Sequence, residues 1–242
     1  MPASFYSTDL AYVHHVGFGD FASQAAPGLL AELRAARLPS RVVVDLGCGS
    51  GIWLSRAARA GYQTIGVDLS PAMVRLARAN SPSSKLVCAS LRDFPLPPCG
   101  AVTALGEALC YFPPNLRPYS LAPVFRRVAN ALEEDGLFIF DLLTTSARRS
   151  MNAQICTTGR DWAVLTERIE KVGVITRNIT VFRKIGRTYR RSFETHCAAV
   201  YSVEQVRKEL RRAGFSVVTK KRYGKFKLLP RRTAFFARRL AG

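Results

Sequence analysis

The chain has 242 residues, 48% hydrophobic and 22% charged, which suits one large domain, or one domain with an elaboration, and excludes a disordered or fibrous chain. No apolar run reaches the roughly 18–20 residues of a membrane span, and the first residues lack the basic flank and apolar stretch of a secretory signal, so a cytoplasmic protein is expected. The formal charge of +19 is uneven: residues 1–140 hold 12 Lys and Arg against 10 Asp and Glu, and residues 141–242 hold 24 against 7. Such a basic half either attracts an anionic partner (nucleic acid, membrane surface, acidic substrate) or decorates solvated faces.

From Phe21 to Leu38, apolar residues at Ala25, Leu29, Leu33 and Ala36 predict a lead-in helix. Val42–Leu46 close a β-branched run, Arg41–Leu46, that reads as a strand covered on both faces. Gly47, Gly49 and Gly51 then remove three Cβ atoms where the chain must turn and approach a ligand closely. A helix from Ile52 to Ala60 stops at Gly61, and Tyr62–Asp68 form the next strand, with Asp68 at its carboxyl end. An acid there can accept hydrogen bonds from both hydroxyls of a ribose. Ser70 is the N-cap and Pro71 the first residue of a helix running to Asn80.

Lys85–Ala89 and Ala101–Leu105 read as the third and fourth strands. A proline-rich loop follows, then a helix ending near Glu133–Gly136 and a fifth strand at Leu137–Leu142. Strand–helix alternation of this kind builds a parallel, doubly wound sheet through right-handed crossovers. After Asp141 the rhythm becomes β-rich, and three antiparallel strands are expected at Trp162–Arg168, Val174–Ile185 and Thr188–Tyr201. A helix at Val203–Ala213, capped by Ser202 and stopped by Gly214, precedes two last strands at Phe215–Lys221 and Thr233–Ala237. The six cysteines stand singly with no C-x-x-C pair, which points to reduced thiols and no metal site.

Val42–Gly51 together with Gly66-Val67-Asp68 resembles motif I and the following acidic position of class I S-adenosylmethionine-dependent methyltransferases. The strictly alternating glycines differ from the G-x-G-x-x-G dinucleotide fingerprint, which serves a pyrophosphate. Downstream, Gly66–Met73, Ala101–Tyr111 and Ala213-Gly214-Phe215 also resemble family segments, although Ser90 and Gly100 stand where members usually carry acids. The layout is similar to bacterial small-molecule members with an antiparallel insertion before the last helix.

The resemblance implies a Rossmann-like, doubly wound, seven-stranded α/β sheet, mostly parallel with an antiparallel last strand, plus a small antiparallel β lid. It divides the chain into a cap and lead-in helix at 1–40, a cofactor-binding core at 41–145, the lid at 146–201, and final elements at 202–242. It implies S-adenosylmethionine as cofactor, held by Asp45, Gly47, Cys48, Gly49, Gly51, Asp68, Leu69, Ser90, Leu91 and Gly106. Asp45 would orient the loop and the methionine ammonium, and Leu69 and Leu91 would sandwich the adenine. The adenine contact falls to the Ser90 hydroxyl, the Leu91 backbone or Asp93.

Methyl transfer from a sulfonium is an in-line displacement that needs a base only when the nucleophile arrives protonated. Glu107, His15 with Tyr12, Tyr111, and His196 with Glu194 are the catalytic candidates. The expected acceptor is a small metabolite, anionic on the strength of the basic half; no metal, no membrane span and no particular oligomeric state are indicated. An RNA- or other nucleic-acid-directed methyltransferase or binding protein is the alternative. It would use Arg148-Arg149, Arg183-Lys184, Arg190-Arg191, Arg211-Arg212, Lys220–Arg222 and Arg231-Arg232, with Tyr189 and Tyr223 for stacking. A cofactor-binding homologue without catalysis is a third reading.

Overall fold

The computed structural model describes residues 5–146 and 152–241, so Met1–Ser4 and the Arg148-Arg149 pair lie outside the described residues. Two helices open the chain, α1 (Thr8–Phe18) and α2 (Asp20–Ala35). The alternating core follows: β1 (Val42–Leu46), α3 (Ile52–Arg59), β2 (Gln63–Asp68), α4 (Pro71–Asn80), β3 (Lys85–Cys88) and β4 (Cys99–Ala104). A short 3-10 turn (Ala108–Cys110) and β5 (Tyr111–Phe112) lead to α5 (Ala122–Ala131) and β6 (Leu132–Leu143). Four long strands come next: β7 (Ala153–Thr158), β8 (Trp162–Lys171), β9 (Val174–Ile185) and β10 (Thr188–Ala199). The chain closes with α6 (Val203–Arg212), β11 (Phe215–Lys220), the small hairpin β12 (Arg222–Tyr223) and β13 (Phe226–Lys227), and β14 (Arg232–Arg239).

One sheet has seven strands in the order β11-β14-β6-β4-β1-β2-β3. β1, β2, β3, β4 and β6 pair in parallel, while β14 runs antiparallel to both β6 and β11. The order reverses between β1 and β4, and such a switch point opens a crevice beyond the carboxyl ends of the strands. Strand alternation sends Val44, Leu46, Val102, Phe138 and Phe140 to one face under Phe125 of α5 and Leu210 of α6. It sends Val43, Ala101, Ile139 and Phe236 to the other, under Leu29 of α2 and Trp53 of α3. Phe140 and Phe235, opposite each other on β6 and β14, stack at 5.0 Å.

The second sheet has five strands in the order β5-β10-β9-β8-β7. The sequence suggested three. β7 is too polar and exposed for its alternation to stand out, and β5 is a two-residue segment of the core borrowed by pairing with β10. Three other expectations change. The fifth helix ends at Ala131, and Glu133–Gly136 lie within β6, whose chain turns at Asp135 in the left-handed region (φ 63°). α1 was read only as a capping segment, because its apolar residues face two different neighbours and leave no single stripe. Thr188–Tyr201 loses its last residues to a bend: Tyr201 pairs with Thr144 as an isolated bridge.

Gly66 shows how tightly the loop end of the sheet is packed. A Cβ there would run into Leu54 Cδ1 and come within 2.8 Å of Leu86 Cδ2 and 2.9 Å of Cys48 Sγ. Gly66→Val is expected to lose about 1–3 kcal/mol of stability by overpacking, read from chemical denaturation.

Candidate active site

The glycine loop leaves β1 at Gly47 and folds back on β2, because the Gly47 and Cys48 N–H groups both donate to the Val67 carbonyl, at 2.7 and 3.0 Å. Gly47, Gly49 and Gly51 all have positive φ (79°, 53° and 78°), the region glycine alone enters freely. Gly47 also lies against Ala108, and Gly51 against Ala77, but nothing lies within 4 Å of the place where a Gly49 Cβ would stand. The loop is therefore fixed behind and open in front.

Asp68 is half-buried at the end of β2. One carboxylate oxygen accepts the Gly49 N–H at 2.8 Å and the other the Ser70 N–H at 2.8 Å, so each keeps a lone pair for a further donor. Burial raises its pKa and the two N–H donors pull it back. Asp45 is almost fully buried and accepts the Thr103 hydroxyl at 2.6 Å, which in turn accepts the Trp53 indole N–H at 3.0 Å. Burial pushes Asp45 up to about 7. Leu69, beside Asp68, is 51% exposed, an apolar side chain left at the lip of the crevice. Leu91, beyond β3, is partly buried against the core, and its Cδ2 lies 3.9 Å from where a Gly47 Cβ would stand. The Ser90 hydroxyl accepts the Arg92 N–H at 3.1 Å and so closes the turn after β3. Gly100 lies at the opposite, amino end of β4, packed against Ser40, and has no part in the crevice.

After β4 the chain makes a bend that only its partners hold in place. Gly106 and Glu107 are both left-handed, at φ 70° and 66°, and their N–H groups donate to the two oxygens of Asp141 at 2.9 and 3.1 Å. Tyr223 donates its hydroxyl to the same carboxylate at 2.9 Å. Glu107 is buried, and its own carboxylate takes Arg177 of β9 at 2.9 Å and Arg232 of β14 on the other oxygen. Arg177 also donates to the Tyr111 hydroxyl at 3.2 Å, and Tyr6 and Tyr111 hydroxyls lie 3.4 Å apart. Burial works against the Arg177 charge, but Tyr111 and Glu107 more than offset it and its pKa is raised.

The roof over this bend is α1 with the five-stranded sheet. Leu10 and Val13 pack on Trp162, Val164, Ile179 and Val181 of the lid. Asp9 binds Arg190 and Arg183, and the Tyr12 hydroxyl donates to Asp161 at 2.7 Å. Ahead of α1, Glu194 of β10 accepts the Tyr6 N–H, the Ser7 N–H and the Ser7 hydroxyl at 2.7, 2.8 and 2.5 Å. Glu194 also meets His196 Nε2 at 2.8 Å, and Ser70 donates its hydroxyl to the Tyr6 carbonyl at 2.7 Å. The strap at Tyr6–Ser7 thus joins the lid to the turn that carries Asp68.

Glu107, Tyr111 and His196 stand together beneath the lid, His15 stands beside the glycine loop, and each already has a partner. His15 Nδ1 meets Ser50 Oγ of the glycine loop at 3.0 Å, Glu107 holds two arginines, Tyr111 meets Arg177, and His196 meets Glu194. Tyr6, His14 and Arg177 also join this cluster and were not singled out, and Arg232 was named only as a phosphate contact. Nothing in an isolated β strand marks Arg177 as inward, and His14 cannot be told from His15 until the helix is placed.

Residues 43–136 match a family model described as a methyltransferase domain. This segment of the chain is a methyltransferase domain. The chain is 26% identical over 196 residues to a Geobacillus sp. (strain WCH70) protein named for inferred methyltransferase activity, covering 75% of this chain and 76% of that one. The solved structure of an S-adenosylmethionine-dependent methyltransferase from Clostridium acetobutylicum matches with a TM-score of 0.79 and 19% identity, covering 95% of this chain and 97% of that one. A sugar N-methyltransferase from Streptoalloteichus sp. matches with a TM-score of 0.77 and 19% identity, over 100% of this chain and 96% of that one. The residues at the carboxyl ends of β1 and β2 fit that cofactor: an open glycine face, an acid with spare lone pairs, and an exposed leucine beside it.

The Glu107 knot generates a stability prediction. Glu107→Gln leaves two partly buried guanidinium groups sharing a neutral amide, and is expected to cost about 2–3 kcal/mol in urea denaturation. An unchanged midpoint would show that the two ion pairs contribute nothing to the fold.

Proposed function

We propose that the enzyme transfers the methyl group of S-adenosylmethionine to a small, negatively charged metabolite bound between the glycine loop and the lid. The cofactor supplies an activated methyl on a sulfonium, and the protein's work is to hold, align and exclude water. Asp68 takes the ribose hydroxyls, Gly47, Cys48, Gly49 and Gly51 allow close approach of the backbone, and Asp45 faces the methionine ammonium. Leu69 and Leu91 hold the adenine from its two faces, with Ser90 shaping the turn beneath it. Gly106 turns the chain beside the methyl donor.

The observation that carries the small-molecule reading is the roof. α1 is tied to the lid by Asp9, Tyr12, Leu10 and Val13, and the strap is tied down by Glu194. A site roofed by a helix, a strap and a second sheet suits a metabolite better than a polynucleotide. The sugar substrate named for the Streptoalloteichus structure is in keeping with this. The anionic reading is supported by the guanidinium groups of Arg177 and Arg232, which share one carboxylate, Glu107, beside Tyr111. Tyr111 and His196 stand beneath the lid, Glu107 positions the two arginines, and His15 fixes α1 to the glycine loop. The nucleic-acid alternative draws less support, because Arg183, Arg190, Arg231 and Arg232 are engaged with Asp9, Glu170 and Glu107.

Calorimetry with S-adenosylhomocysteine tests the cofactor site. Asp68→Ala removes two charge-assisted hydrogen bonds and is expected to weaken binding by about 100-fold or more; unchanged affinity would overturn the assignment. Asp45 gives a pH signature. Its carboxyl is half protonated near pH 7 and must be charged to meet the ligand's ammonium, so binding is expected to be about tenfold tighter at pH 8 than at pH 6, with proton release. Transfer of labelled methyl to small carboxylates, against salt-dependent retention on heparin or RNA, tests the acceptor class.

A further inference from the structure

α1 faces two ways. Toward the lid, Leu10 and Val13 pack on Trp162, Val164, Ile179 and Val181, and the Phe18 ring lies 6.0 Å from that of Trp162. Asp9 holds Arg183 and Arg190 there, the Tyr12 hydroxyl holds Asp161, and Glu194 takes both N–H groups of the strap and the Ser7 hydroxyl. Toward the core the contacts are slighter. Ala11 clusters with Ala72 and Met73, His15 Nδ1 meets Ser50 Oγ at 3.0 Å, and the Tyr6 carbonyl accepts the Ser70 hydroxyl at 2.7 Å.

Those two hydrogen bonds flank Asp68. Ser50 follows Gly49, whose N–H binds one Asp68 oxygen, and the Ser70 N–H binds the other. Both serines are buried. At its C-terminal end α1 passes to α2 through Gly19, and α2 is packed on the core, with Ala25, Leu29 and Leu33 in one cluster with Val43 and Trp53. Arg232, which holds Glu107, lies over the Phe21 ring, 5.4 Å from its centre. The link from cap to core therefore runs beside the ion pairs that seat the lid. The Tyr6–Ser70 bond lies off the opposite end of α1, whose eleven residues span about 16 Å.

We propose that α1 and the antiparallel lid move as one body over the cofactor. This body pivots at Gly19 and the Glu107 ion pairs. It opens by parting Tyr6 from Ser70 and His15 from Ser50, which lets S-adenosylmethionine enter and S-adenosylhomocysteine leave. This rests on the methyltransferase reading above and deepens it. The energetics select the motion. Two hydrogen bonds that part in water are replaced by bonds to water at small net cost. Lifting α1 off the lid instead would expose Leu10, Val13 and the apolar residues beneath them, and part Asp9 from its two arginines. Gly19 is helical here (φ −63°, ψ −18°), and without a Cβ it can leave that region freely as the body turns. Hinges of this kind close domains around ligands.

Surface plasmon resonance on the tethered full chain gives the association and dissociation rates of S-adenosylhomocysteine. Ser50→Ala and His15→Ala are each expected to speed dissociation by about 3- to 10-fold, the net worth of one hydrogen bond. The double variant is expected to be no faster than the faster single one, because both changes remove the same contact. Asp161→Ala loosens the cap from the lid at Tyr12 and is expected to leave the dissociation rate unchanged within about twofold. Equal acceleration by Asp161→Ala would mean that the cap peels off the lid by itself. Unchanged rates in both Ser50→Ala and His15→Ala would mean that nothing opens at that contact. Additive effects in the double variant would mean that each residue acts on the cofactor separately. Any of these three results overturns the proposal. A native chain that binds no S-adenosylhomocysteine sinks the cofactor reading itself, a result distinct from binding with unchanged rates.

Discussion

Two carboxylates, Asp141 and Glu107, hold the catalytic end of the molecule together. The chain must bend as it leaves β4, and it does so through two consecutive left-handed residues, the second of which is not glycine. A left-handed residue other than glycine costs about 1–3 kcal/mol unless its surroundings fix it. Asp141 on β6 supplies that fixation by accepting both N–H groups of the bend. The bend then points Glu107 at Arg177 of the lid and Arg232 of the last strand, and the lid is seated by those two ion pairs. The position of the lid over the core is a consequence of this chain of acceptors and donors.

The same arrangement explains much of the uneven charge. Asp9, Glu107 and Glu170 each hold two arginines: Arg183 and Arg190, Arg177 and Arg232, Arg168 and Arg231. Each carboxylate sits on or against the lid, and every one of those arginines comes from residues beyond 141. Guanidinium suits this work because its planar fork of donors can reach a carboxylate and still serve a second partner, as Arg177 does with Tyr111. Part of the basic excess is therefore structural mortar between the lid, the cap and the core.

The cofactor side and the acceptor side share one short segment. Tyr6, itself left-handed at φ 51°, gives its carbonyl to Ser70, next to Asp68, and its N–H to Glu194 of the lid. With His15 on the glycine loop and Asp9 on the lid, the cap touches both halves of the crevice at once.

The core elements were legible in the chain because each is written locally. Val42–Leu46 are apolar without interruption, Ser70-Pro71 carries the cap and first turn of α4, and Gly47, Gly49 and Gly51 stand where only glycine turns easily. The lid was half legible: β9 and β10 alternate clearly, whereas β7 is polar and β5 exists only because β10 offers it a partner. By itself the sequence determined the sheet, the glycine loop, the two acids facing it and hence the cofactor, since these depend on local backbone geometry and spacing. Which side chains gather beneath the lid was decided only by tertiary structure. The contact of His15 with Ser50, and the convergence of Arg177 and Arg232 on Glu107, depend on how α1, β9 and β14 are docked, and residues distant in the chain carry no mark of that docking.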